Sequence, residues 1–169
     1  MRCVYLPHMC LALLQFSLFF PACSSFGQKK PPENQPGIAG KIIGKSDVMG
    51  QPDYPLRGVV FMVAPEKMKT LLAQIGAEAK YTLHPMLSYS FTEESFQQFA
   101  RSHALAETNG NYYLEVPPGD WWLCLGNIGT SQTALTFPIE LNGCGLVKVE
   151  AGKPLNKDIT WGEGGFGLK

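Results

Sequence analysis

The sequence predicts a mainly β protein, an antiparallel β-sandwich interrupted by a two-helix insertion. Eighteen glycines and thirteen prolines among 169 residues cut the chain into short runs. Within most of those runs apolar residues alternate with period two, the mark of half-buried strands. Only between Pro65 and His103 does the period become helical. A content of 45% hydrophobic and 11% aromatic residues is enough for one globular core, which argues against disorder. Fourteen bases balance fourteen acids, so no net field draws a polyanion and no nucleic-acid partner is expected.

The first segment reads as an export address. Arg2 is followed by an apolar run, Met9 to Phe20, and then by the small residues Ala22, Cys23, Ser24 and Ser25. As a helix that run reaches roughly 18 Å, too short for a bilayer core of roughly 30 Å. Residues 1–22 are therefore expected to be a signal peptide. Phe20-Pro21-Ala22-Cys23 resembles the lipobox of bacterial lipoproteins, in which the cysteine becomes the lipidated first residue. That resemblance implies an acylated Cys23, a membrane-lipid partner and a place in the cell envelope. Ordinary cleavage after Ser24, giving a soluble secreted or periplasmic chain, is the alternative. Residues 23–37, with Lys29-Lys30-Pro31-Pro32 and Gln35-Pro36, read as an extended tether.

Cysteine counting points the same way. Of five cysteines, Cys3 and Cys10 leave with the signal and Cys23 is the expected anchor, so Cys124 and Cys144 remain. An even remainder in an exported chain predicts one disulfide, closing a loop of about twenty residues for roughly 3 kcal/mol. Two buried thiols are the alternative. A metal site would lack two ligands and is not expected.

The folded part is expected over 38–161. Gly40 to Gly44 begins an extended run, Gly50 to Pro55 is dense in turn formers, and Val59-Val60-Phe61-Met62-Val63 is a strand buried on at least one face. Pro65 opens a helix with Met68, Leu71, Leu72 and Ile75 on one stripe, closed by Gly76. Thr92 caps a second helix, with Phe91 and Phe96 as a hydrophobic staple and Phe96, Phe99, Ala100 and His103 on one face. Together these define a helical insertion over 65–107. Further strands are expected over 135–141, 145–149 and 155–161, with a turn at Asn142-Gly143 and a frayed glycine-rich tail over 162–169.

The segment from Asn109 to Leu125 is the most informative. With Pro117 to Asp120 as a four-residue loop, Val116 faces Trp121, Leu114 faces Leu123 and Tyr112 faces Leu125 on the core side. Tyr113, Glu115, Trp122 and Cys124 then share the outer side of the hairpin. Tyr113 and Trp122 could stack on a sugar or a protein partner there. Burial of that face beneath the inserted helices is the favoured expectation, with carbohydrate binding the runner-up.

These residues resemble the carboxypeptidase regulatory-like domain, of transthyretin-like or prealbumin-like sandwich architecture. The resemblance rests on Asn109-Gly110-x-Tyr112-x-Leu114-x-Val116-Pro117-Pro118-Gly119-x-Trp121-x-Leu123, with Gly40-x-Ile42-x-Gly44 and Gly58-Val59-x-Phe61-x-Val63 before it. The helical insertion of about forty residues departs from that family. The resemblance implies an Ig-like sandwich and a non-catalytic accessory or envelope module with no cofactor.

The chemistry of the remaining residues agrees with that implication. His84 and His103 have no carboxylate, serine or cysteine at a readable spacing, so no catalytic residue is assigned. Glu93 and Glu94 sit in a helix's first turn, where acids favour the macrodipole. The function expected from sequence is a non-enzymatic cell-envelope structural or interaction module, bound to an unidentified protein or glycan.

Overall fold

The computed structural model describes residues 35–74, 82–83, 89–129 and 133–169. The signal segment, Cys23, the tether up to residue 34, His84 and the expected closure of the first helix at Ile75-Gly76 lie outside them. In chain order the elements are β1 (Gly37–Gly44), β2 (Tyr54–Pro55), β3 (Arg57–Val63), α1 (Pro65–Gln74), β4 (Thr82–Leu83), β5 (Ser90–Phe91), α2 (Glu93–Phe99), β6 (Ala100–Leu105), β7 (Asn111–Glu115), β8 (Gly119–Gly129), β9 (Ile139–Val149), β10 (Pro154–Asn156), β11 (Ile159–Gly162) and β12 (Gly165–Leu168).

Two sheets form the sandwich. The first runs β10-β1-β11-β12, with β2 and β7 also on β1; the second runs β4-β9-β8-β3-β6, with β5 also on β9. The second sheet is antiparallel throughout. The first is mixed, because β10 and β11 both run parallel to β1. The run over 155–161 is thus two short strands on successive halves of β1 rather than one.

The β3 sequence shows why two layers of core are needed. Val60 and Met62 point between the sheets, where they meet Ile38, Ile42, Tyr112, Leu114, Leu123 and Leu125. Val59, Phe61 and Val63 point to the other face, where Met68, Leu71 and Leu72 of α1 and Phe96 and Phe99 of α2 cover them. A strand buried on both faces carries an unbroken apolar run, and all six residues from Val59 to Ala64 except the last are fully enclosed. Of the expected apolar stripes, α1 buries Met68, Leu71 and Leu72 and α2 buries Phe96 and Phe99. The Thr92 hydroxyl accepts from the Ser95 amide at 3.3 Å, and the rings of Phe91 and Phe96 lie 6.0 Å apart.

Four expectations are corrected. First, α2 ends at Phe99, and Ala100 turns extended to begin β6, which pairs with β3 from Ala100 opposite Val63 to Leu105 opposite Val59. Sheet pairing along this edge prevails over the continued helical stripe, so His103 sits on a strand and the insertion interrupting the sheet is shorter than 65–107. Second, Asn142-Gly143 is no turn. It lies inside β9 where the register with β8 shifts, and a Cβ at Gly143 would come 2.4 Å from the Phe166 Cβ, so glycine here admits the Phe166 ring. Third, that ring belongs to the supposed frayed tail. Residues 165–168 form β12 against β11, with Phe166 only 4% exposed.

Fourth, the Asn109–Leu125 segment is not a hairpin. β7 pairs with β1, Leu114 opposite Ile38, whereas β8 pairs with β3 and β9 in the other sheet. Pro117 and Pro118 offer no amide to a ladder. Gly119, at φ +144°, starts β8, and the Trp121 indole N–H donates to the Pro117 carbonyl at 2.9 Å. The chain thereby arches from one sheet to the other. The six residues assigned to the core do face it, five buried and Trp121 partly so.

Tyr112 locks the two halves of the first sheet together by donating to the Lys157 carbonyl at 2.5 Å. Burial pushes its phenol far above the ordinary value, and the Asp158 carboxylate adds to the rise. The folded state therefore favours the neutral phenol. Its contribution is complete below the unfolded pKa of about 10 and is lost as pH climbs above it. Urea midpoints between about pH 8 and about pH 11 should fall less steeply in Tyr112→Phe than in the parent chain, and an identical fall would contradict this assignment.

Candidate functional site

The disulfide is present. Cys124 and Cys144 stand directly opposite each other on β8 and β9, with the sulfurs bonded and the Cα atoms 4.1 Å apart. Both are fully buried, on the face of the second sheet that the helices cover.

Trp122 lies in the same layer, 8% exposed, next to Cys124 along the alternation of β8. Burial beneath the helices, the favoured expectation, holds for this residue. Tyr113 does not accompany it. It sits opposite Ala39 on β7, on the outer side of the first sheet, with its ring against Gly37. The two are thus on opposite sides of the sandwich, and the shared outer face expected from a hairpin does not exist. The Tyr113 phenol is raised above its ordinary value by partial burial and by the Glu115 carboxylate. Its hydroxyl makes no hydrogen bond in the structure.

Other rings reach the surface, gathered on Phe96. His103, exposed on β6, stands 5.4 Å from the ring of buried Phe96, and half-buried Phe137 stands 5.7 Å from the same ring. Phe96 is in turn 5.1 Å from Phe61 in β3, so both surface rings lean on the helix-covered core. Reading 100–105 with period two rather than 3.6 would have placed His103 on a strand, where it stands opposite Phe61 of β3. Phe137 had no such signal. Its position depends on Asn127, held at φ +46°, whose amide donates to the carbonyls of Thr136 and Pro138 and whose oxygen accepts from the Glu140 amide.

Around this edge the titratable side chains are scattered. Among the described residues no three His, Cys, Asp or Glu side chains converge on one point, and no helix is long and apolar enough to cross a membrane.

The molecule is a disulfide-bridged β-sandwich with a helical cover on one sheet. No protein-family profile matches its sequence, and no curated protein does. One solved structure resembles it, a protein from Pseudomonas aeruginosa called a "putative carbohydrate binding protein", at 15% identity and a TM-score of 0.43, over 76% of this chain and 89% of that one. A likeness of that size leaves the function of this chain to be read from its own residues.

Proposed function

We propose that this chain is an exported, non-catalytic structural or interaction module of the cell envelope, of the carboxypeptidase regulatory-like kind. It is held to membrane lipid through an acylated Cys23 and stands off on the proline-rich stretch up to residue 37. The observation that carries the reading is the enclosed Cys124–Cys144 bridge, in a chain whose first 22 residues read as a signal. Disulfides persist in oxidising compartments, and small exported domains use them to supplement a limited core. Two or more acyl chains on one cysteine hold stably to a bilayer, at roughly 0.8 kcal/mol per buried methylene.

Intact mass of the protein recovered from its host tests this. The expected species begins at Cys23, carries acyl chains, and gains about two daltons on denaturation with reductant. A chain starting after Ser24 with no lipid would remove the tether. A chain that retains residues 1–22 and holds free thiols would remove export as well.

A second reading, glycan binding, is favoured by the surface placement of the His103 and Phe137 rings rather than by Tyr113 with Trp122. In a glycan pull-down it requires retention that His103→Ala weakens.

A further inference from the structure

We propose that Met49 is an oxidant-accepting site, whose thioether sulfur takes an oxygen atom from a peroxide while the fold is left intact. The loop between β1 and β2 is an ordered device for presenting this side chain. The Gln51 amide donates to the Val48 carbonyl at 3.0 Å, and Gly50 has φ +87° at the third position, the signature of a type II turn with Met49 at its second. The Ser46 hydroxyl accepts from the Val48 amide and donates to the Gln51 side-chain oxygen, both at 3.3 Å. Lys45 and Asp53 form an ion pair at the base. None of these bonds uses the Met49 side chain, which is 101% exposed.

The other described methionines have the opposite surroundings. Met62 is 0% exposed between the sheets and Met68 1% exposed on the buried side of α1, in the cluster that covers the second sheet. Thioether oxidation needs access of the peroxide to sulfur. A sulfur lone pair attacks the protonated peroxide oxygen, the O–O bond breaks as the S–O bond forms, sulfur loses two electrons, and the proton on the transferred oxygen passes through solvent to the departing oxygen, which leaves as water or an alcohol. At Met49 the product is a polar group already in water. At Met62 or Met68 it would be an unpaired polar group in the core. The loop tip thus accepts the oxidant without loss of packing, and its apolar surface, shared with Val48 at 58% exposure, becomes partly polar.

The test uses the folded mature chain under increasing hydrogen peroxide, followed by digestion and mass measurement of each methionine peptide, with Met86 followed as its own peptide. The Met49 peptide is expected to gain about sixteen daltons at least about tenfold faster than the Met62 and Met68 peptides, and all should react alike in denaturant. Protein oxidised at Met49 alone should melt within about 1 °C of the untreated chain and elute earlier from a hydrophobic-interaction column. Met49→Leu should lose the fast gain and leave the Met62 and Met68 rates unchanged. Oxidation of Met62 or Met68 within about twofold of the Met49 rate in the folded chain, or a melting point several degrees lower after oxidation of Met49 alone, would overturn the proposal.

Discussion

Trp122→Ala is expected to lower the unfolding free energy by about 3–5 kcal/mol, a large share of the about 5–15 kcal/mol typical of a domain. The indole fills space between β8 and the helices, among Val63, Cys124 and the apolar stripes of α1 and α2, and truncating it leaves a cavity that those elements cannot close. Tyr113→Ala supplies the contrast. Half-buried on the outer side of the other sheet, it should cost clearly less, about 1 kcal/mol. Denaturant titrations of the two variants check this. Equal losses would mean that the two rings share one environment, contrary to their placement on opposite sides of the sandwich.

The second large effect is loss of the bridge. Replacing Cys124 and Cys144 together by alanine should cost about 3 kcal/mol, from the loop-closure entropy of a 20-residue separation. Because both residues are fully enclosed, reductant alone should leave the native bridge intact on the timescale in which it opens the same bond in denaturant. Thiol labelling with and without urea, beside the melting curve of the double variant, gives both numbers. Rapid labelling of the folded chain would contradict the burial.

Much of the inward-facing set was legible in the sequence because alternation reports which side of a strand a residue occupies. Tyr112, Leu114, Val116, Leu123 and Leu125 are all buried where the period put them. Alternation does not report the partner strand, and so the same pattern fits a hairpin and an arch between sheets equally well. The pair of prolines was the available sign against a hairpin. Asn142-Gly143 shows the same limit from the other direction: the dipeptide that marks a turn also serves where a strand must bulge beneath an aromatic ring, and the ring, Phe166, is more than twenty residues away. His103 was placed on the right side for the wrong reason, since a helix and the following strand present it to the same Phe96.

The candidate surface was less legible than the core. The cysteine pair could be read by counting alone, which needs no geometry. The His103–Phe96–Phe137 contact joins β6, α2 and the segment before β9, and no local pattern links three such distant stretches. Tyr113 and Trp122 could be assigned a common face only by assuming the pairing that the arch at Pro117-Pro118 replaces.

Interstrand backbone NOEs on the labelled, folded protein test that arch most directly. The structure predicts contacts between the backbones of Ala39 and Tyr113 and between those of Phe61 and Cys124. Strong backbone contacts between Leu114 and Leu123, as a hairpin requires, would contradict it.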